Sequence, residues 1–186
     1  MDAITLLKAD HKDVEKQFRV FEHAGTRARV AKANSAAAAV RELSIHAAIE
    51  EQIFYPSLRD EVPSIAEEVL QGLEEHHVVK WLCSEIESCS PDDERFEAKM
   101  TVLIENVRHH VREEESDLFP VVRSALGRKR LADLGELLDK AKGAAPTHPH
   151  PRSPDSPPAN LVVGVVAGAF DRARDVGQRL VGHLTP

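Results

Sequence analysis

The sequence predicts an all-α protein, an antiparallel up-down four-helix bundle with an extra short helix and a C-terminal tail. Apolar residues recur at spacings of three and four along four long stretches, as on one face of an amphipathic helix. Of the 186 residues 42% are hydrophobic but only 4% are aromatic. Ala, Leu, Val, Glu and Arg dominate, and this composition favours helix over sheet.

The four long helices are separated by residues that commonly end or begin helices. The first is predicted over about residues 3–24 and the second over about 30–58, where Pro56 predicts a kink or a stop. A Pro-Ser pair opens the third, over about 63–88. A Ser-Pro-Asp-Asp turn precedes the fourth, which runs to about residue 126.

The rest of the chain predicts a division into three parts. A fifth helix over 128–142 completes a bundle domain of residues 1–143. Six prolines then predict an extended linker over 144–160. The segment 161–186 is predicted to be a helical tail for docking, self-association or contact with a partner. Its run of about ten apolar residues is too short to cross a bilayer.

Charge and cysteine content narrow the function classes. The net charge of −7 argues against a nucleic-acid partner, since phosphate binding requires a basic surface. The N-terminus shows no signal-peptide pattern. Cys83 and Cys89 are too few for a disulfide framework and are expected to be reduced thiols. These features predict a cytoplasmic protein.

An internal repeat is the first sign of a functional site. Residues 46–56 and 110–120 each begin with a His, place a Glu four residues later and a second Glu directly after it, and end with an aromatic residue and a proline. Such a repetition is expected from two helices related by a two-fold axis.

The His and the first Glu of each repeat lie on one helix face, since residues four apart differ by about 40° around the axis at ~100° per residue. In both repeats this face is the apolar one. A Glu that points into a core requires a partner, and a metal ion supplies one.

Two further histidines occupy equivalent positions on the other helices. His11 lies at the centre of the apolar face of the first helix, and His76 lies within that of the third. The adjacent His77 lies towards the edge of that arc, so His76 is the predicted ligand and His77 the alternative.

The predicted ligands combine four imidazoles with two carboxylates from four helices. Mixed nitrogen and oxygen donors suit iron, manganese or zinc, and carboxylates able to bridge favour a pair of ions over one. The lack of Cys ligands disfavours iron–sulfur and structural zinc sites. The set is His11, His46, Glu50, His76, His110 and Glu114.

These motifs resemble those of the haemerythrin-like (HHE cation-binding) family, over about residues 3–126. The resemblance implies a bundle that holds an oxo- or hydroxo-bridged non-haem di-iron centre, which meets dioxygen, hydrogen peroxide or nitric oxide. Glu51 and Glu115 either orient a ligand histidine or are simply solvated. The matching motifs are Asp10-His11, His46-x3-Glu50-Glu51, Glu75-His76 and His110-x3-Glu114-Glu115.

The chain departs from the oxygen-carrying haemerythrins at two points. Those proteins have His-x3-His on the third helix, where this chain has Lys80, and His-x4-Asp on the fourth, where it has His110-x3-Glu114. Tyr55 follows Glu50 by five residues and is a candidate ligand or close neighbour. One imidazole fewer and one more carboxylate or phenolate would stabilise ferric iron, which favours reaction with peroxide over reversible dioxygen binding.

Three functions follow from this reading. The first is catalase-like decomposition of hydrogen peroxide in oxidative-stress defence. The second is non-catalytic binding, sensing or storage of O2, NO or iron, with signalling through the tail, and the third is a zinc-stabilised structural bundle. His109 is expected on an outer face or beside a ligand, and Lys80 is expected to pack by its stem or to direct its charge at the pocket. His148 and His150 are expected to be linker residues.

Overall fold

The structure is a computed structural model that describes residues 1–25, 27–153 and 159–182, and these residues contain helices and turns but no strand. The all-helical prediction is confirmed. The helices are α1 (Ala3–His23), α2 (Arg29–Ile49), α3 (Tyr55–Glu61), α4 (Ala66–Glu87), α5 (Phe96–Glu113), α6 (Phe119–Lys142) and α7 (Ala159–Gly182).

Helices α1, α2, α4 and α5 form the bundle. α1 packs against α2, α4 packs against α5, and α2 contacts α4, while α6 covers α1. Short connections between consecutive helices make neighbours antiparallel. None of the described helices is long and apolar enough to span a membrane.

Two apolar clusters fill the bundle, one at each end. Helix α1 contributes Leu7 to the first cluster and Val14 to the second. Helix α2 contributes Leu43 to the second and then Ile49 to the first, so it runs in the opposite direction. His11 lies between the two α1 residues in sequence and is buried with them. The polar residues predicted to bind metal therefore form a layer between the two apolar clusters.

The second helix does not stop at Pro56 but passes through a wider turn. A π-turn spans Glu50–Phe54 and leads directly into α3, and a second π-turn spans Glu114–Leu118 and leads into α6. In each case a proline follows within two residues, and its missing N–H removes one helical hydrogen bond. π-turns of this kind occur mostly at functional sites, and both begin here at a predicted ligand.

The predicted fifth helix is continuous with the fourth except for a break at Gly127. This glycine has φ 70° and ψ 173° inside α6, a conformation that is essentially restricted to glycine. The break separates the part of α6 that continues the bundle from the part that lies across α1.

Gly127→Ala is expected to lower the free energy of unfolding by about 1–3 kcal/mol through backbone strain alone. A methyl group there would meet no atom within 4 Å, so no steric clash contributes. Gly25→Ala is the matched control, because that position is equally open and its φ is not positive. Urea denaturation of both variants measures the difference, and equal midpoints would contradict the expectation.

The segment after α6 contains turns and no helix up to residue 153, but it is packed. Ala145 and Thr147 are buried, and the backbone N–H of Thr147 donates to Asp171 of α7 at 2.9 Å. His148 and His150 are not simple linker residues, since they form ion pairs with carboxylates of α7. Sequence patterns do not show such contacts, because the partners lie more than twenty residues away. Residues 154–158 and 183–186 of the predicted linker and tail lie outside the described residues.

Candidate metal centre

All six predicted ligands are buried and come together between the two apolar clusters. They form two groups in which one nitrogen or oxygen atom from each residue lies within 4.8 Å of the others. The four bundle helices and the two π-turns supply them, one residue each. The first group is His11, His46 and Glu114, and the second is Glu50, His76 and His110.

Distances in the second group match two ligands on one ion. The Nε2 atoms of His76 and His110 lie 3.1 Å apart, and His76 Nε2 lies 3.4 Å from Glu50 Oε2. Two nitrogens bound at 2.0–2.1 Å to an ion with right-angled to tetrahedral geometry are separated by about 2.8–3.4 Å. The nitrogen pair is therefore already at coordination distance.

The first group has similar dimensions. His11 Nε2 lies 3.2 Å from Glu114 Oε2, and the rings of His11 and His46 have centroids 4.9 Å apart. Phe119 stacks on the outer side of His11, with a centroid distance of 5.9 Å. An aromatic wall thus closes this side of the group.

Each carboxylate lies between the two groups. Glu50 Oε2 is 3.0 Å from His46 Nε2 in one group and 3.4 Å from His76 Nε2 in the other. Glu114 Oε2 is 3.2 Å from His11 Nε2 and 3.6 Å from His110 Nε2. This is the placement required of carboxylates that bridge two ions.

The Nδ1 atom of every inner histidine faces a second carboxylate. A carboxylate on Nδ1 fixes the ring and the tautomer, so that Nε2 offers its lone pair to the centre. Each supporting carboxylate comes from a different helix or turn than the histidine it holds. The pairs are His11 with Glu115 at 2.9 Å, His46 with Asp10 at 3.6 Å, His76 with Glu51 at 3.2 Å and His110 with Glu75 at 2.6 Å.

These outer carboxylates are themselves held by positive or polar groups. Lys80 contacts Glu51 at 3.0 Å and Lys8 contacts Glu115 at 2.8 Å. Lys142 pairs with Asp10. Lys80 therefore supports the layer outside the histidines, at the position where the oxygen carriers have a further imidazole.

The sequence motifs contain Asp10 and Glu75 but do not by themselves indicate a role for either residue. The signal available was their position directly before a predicted ligand histidine. Glu51 and Glu115, for which solvation was the alternative, both contact histidines. His77 belongs to neither group and accepts a hydrogen bond from Trp81 Nε1 at 3.1 Å.

Tyr55 lies beside the two groups of predicted ligands. Its hydroxyl donates to Glu114 Oε1 at 2.8 Å, and its ring stacks on His76 with centroids 5.4 Å apart. Burial and the nearby Glu114 and Glu50 raise the pKa of Tyr55 well above its usual value. The phenol is therefore neutral and acts as a hydrogen-bond donor.

The centre contains several buried carboxylates. Without a bound metal, protonated histidines balance their negative charge. Burial disfavours the charged form of His46, but Glu50 and Asp10 outweigh it and raise its pKa to about 10. Burial likewise opposes ionisation of Glu114, yet His110 and His11 lower its pKa. Five buried atoms that face the centre make no hydrogen bond: His11 Nε2, His46 Nε2, both carboxylate oxygens of Glu50 and Glu114 Oε2.

Unpaired buried donor atoms of this kind are costly without a partner, and a pair of cations would satisfy them together. The donors present fit such a pair, since each group offers two imidazole nitrogens and a carboxylate. A pocket of about 300 Å³ connects the centre to the surface between α4 and α5, and Tyr55, His110 and Glu114 line its inner part.

Comparisons with known proteins agree with this geometry. The family model described as Hemerythrin HHE cation binding domain matches residues 2–122. An uncharacterized hemerythrin-like protein of Schizosaccharomyces pombe is 27% identical over 141 residues, which are 75% of this chain and 70% of that protein.

Two further relatives are more distant or more partial. A DNA nickase of Nostoc sp. is 34% identical over 87 residues, which are 46% of this chain but only 24% of that protein. The crystal structure of a hemerythrin HHE cation binding domain-containing protein from Mycobacterium kansasii superposes with a TM-score of 0.63. It is 22% identical, with 77% of this chain and 88% of that chain covered, and so supports the fold.

Proposed function

Because this chain belongs to the hemerythrin HHE cation-binding domain family, we propose that its buried centre binds two iron ions and decomposes hydrogen peroxide. The observation that carries this proposal is the pair of three-residue groups with two carboxylates between them. The direct ligands are His11, His46, Glu50, His76, His110 and Glu114.

The donor set supports iron over the other metals considered. Each group offers two imidazoles and one carboxylate without a thiolate, which is the donor set typical of non-haem iron sites. Two imidazoles and two shared carboxylates would leave positions open on six-coordinate iron, as a reactive site requires, whereas the same four donors would close a four-coordinate zinc site. This contrast places the zinc-stabilised bundle last among the three hypotheses.

A bound di-iron pair would supply the two-electron exchange that disproportionation of two peroxide molecules into dioxygen and two waters requires. The protein supplies a proton and a closed environment. Tyr55 keeps its proton 2.8 Å from Glu114, and the fully buried Phe54 and Phe119 close the core below the centre. The pocket between α4 and α5 is large enough for peroxide, O2 or NO to enter.

The test is oxygen release by iron-loaded protein after addition of hydrogen peroxide, measured with an oxygen electrode. Steady release at a rate proportional to protein concentration supports the proposal. Zinc-loaded protein is the control for effects of the scaffold, and the protein-free filtrate of the iron-loaded sample is the control for free iron. No turnover, together with reversible spectra of O2 or NO adducts, would replace the proposal by the binding, sensing or storage function.

Metal binding at neutral pH is expected to release protons. Since Glu50 and Asp10 outweigh burial and raise the pKa of His46 to about 10, this imidazole is protonated at pH 7 before metal enters. Glu114 and Glu75 raise the pKa of His110 as well. A metal ion binds only the neutral imidazole, so its apparent affinity rises with pH until these pKa values are passed.

Calorimetric titration in two buffers of different ionisation enthalpy counts the released protons. We expect about one or two protons per chain at pH 7, from His46 and His110. Identical heats in both buffers would contradict the protonation state proposed for the metal-free centre.

We further propose a reducing, cytoplasmic location and the prevention of oxidative damage as the setting. Its support is that Cys83 and Cys89 are both free thiols. Fractionation of host cells with thiol-blocking reagent tests this, and disulfide-linked protein in an extracytoplasmic fraction would overturn it.

A further inference from the structure

The pocket between α4 and α5 is strongly acidic. Five carboxylate residues line it, and neither lysine nor arginine is among the described residues that do so. A concave site lined by one sign of charge raises the local concentration of ions of the opposite sign. The five are Glu68, Glu75, Glu113, Glu114 and Asp117.

Two lining residues of this pocket, Glu75 and Glu113, form a candidate cation site together with the nearby exposed His109. One ligand atom each of Glu75, His109 and Glu113 lies within 4.8 Å of the others. Gln71 holds the two carboxylates towards each other, donating to Glu75 Oε1 at 3.1 Å and to Glu113 Oε2 at 2.8 Å. His109 Nε2 lies 3.3 Å from Glu113 Oε1.

The inner end of the pocket reaches the metal centre. Glu114 is almost fully buried there, and its Oε2 atom makes no hydrogen bond. Glu75 connects the outer group to the buried centre, because its other oxygen, Oε2, contacts His110 Nδ1 at 2.6 Å. A continuous set of cation ligands therefore runs from His109 at the surface to Glu114 in the core.

The charged residues that line a second approach to the centre are mainly basic. A groove of about 810 Å³ between α1 and α5 reaches His11 and Glu115, but its lining is rich in basic residues. A divalent cation is repelled from that side and attracted to the acidic one. The basic lining residues are Lys12, Lys16, Arg19, Arg108 and Arg112.

We propose that Glu75, His109 and Glu113 form an outer binding site for a divalent cation, through which metal enters the buried centre. The inference rests on the proposed function, since it requires that the centre takes up metal. The outer site binds an ion for transfer inward, so it affects the rate of loading and leaves the final number of bound ions unchanged.

The experiment measures uptake of Co²⁺ by metal-free protein in a stopped-flow spectrometer, using the visible band of the bound ion. The variant His109→Ala/Glu113→Gln removes two of the three ligands. Glu75 is left unchanged because it supports His110. Both altered side chains are more than a third exposed, so the fold is expected to tolerate the change.

We expect uptake to slow by about tenfold in the double variant, with a weaker dependence on salt and the same final content of metal. Glu113→Lys, which places a positive charge at the mouth, is expected to slow uptake further. Glu105→Gln is the control, since it makes the same charge change on an exposed residue of α5 about 12 Å along the helix.

Equal uptake rates in the wild type, the double variant and Glu113→Lys would overturn the outer site while leaving the proposed function intact. A lower final metal content in the double variant would also overturn it, because the residues would then belong to the centre itself. Failure of the wild type to bind Co²⁺, Fe²⁺ or Mn²⁺ at all would instead overturn the proposed function.

Discussion

Glu114→Gln is expected to abolish stoichiometric metal binding. Glu114 Oε2 lies between the two groups of ligands, 3.2 Å from His11 Nε2 and 3.6 Å from His110 Nε2. Glutamine keeps the size of the side chain but loses the negative charge that a bridging ligand must supply. We expect the affinity for the second ion to fall by more than about 100-fold, beyond the usual effect of changing a residue that only supports a ligand.

The measurement is metal content after loading and removal of excess ion, together with the near-ultraviolet absorbance of the iron-loaded protein. Glu113→Gln, the adjacent residue in the chain with a largely exposed side chain, is the matched control and is expected to retain the full content at equilibrium. Glu114→Gln protein with two bound ions and an unchanged spectrum would remove Glu114 from the list of ligands.

Tyr55→Phe is expected to lower peroxide turnover by about 100-fold or more while leaving the bound iron in place. The hydroxyl of Tyr55 donates to Glu114 at 2.8 Å, which holds an O–H group against the centre. Phenylalanine retains the packing against His76 and removes only this donor.

Gly72→Ala tests the same feature without altering the tyrosine. A methyl group at residue 72 would lie 3.0 Å from the hydroxyl oxygen of Tyr55 and 3.3 Å from Cζ, so the phenol must shift. We expect a smaller loss of turnover with the metal content unchanged. Loss of iron from Tyr55→Phe would show instead that Tyr55 is a ligand, and unchanged turnover would show that it is not the proton donor.

The helices and the six inner residues could be predicted because each signal is local. His11, His46, His76 and His110 each lie at the centre of an apolar stripe, and the two glutamates follow a histidine at i+4. The period of the helix alone places such residues in the core.

The supporting carboxylates could not be assigned from the sequence, because each holds a histidine of another helix. Asp10 is adjacent to His11 in the chain but contacts His46, and Glu75 is adjacent to His76 but contacts His110. Only the packing of α1 on α2 and of α4 on α5 creates these pairs.

The π-turns explain why the sequence alone does not fix the position of Tyr55. In a regular α-helix a residue five positions after Glu50 lies about 140° around the axis at ~100° per residue. The wider turn instead lets the N–H of Tyr55 bond to the carbonyl of Glu50, and the tyrosine is turned towards the centre. No propensity of the residues in this segment predicts the extra residue in the turn.

The central claim is that imidazoles and carboxylates from four helices hold two iron ions between two apolar clusters. Its most direct test is the metal content of protein purified from its own host, measured by mass spectrometry alongside the visible absorption spectrum. The account predicts about two iron atoms per chain, from one ion for each group of three ligands, and an absorption band of bridged ferric iron. Protein that contains zinc, or a single ion of any metal, and shows no such band would contradict it.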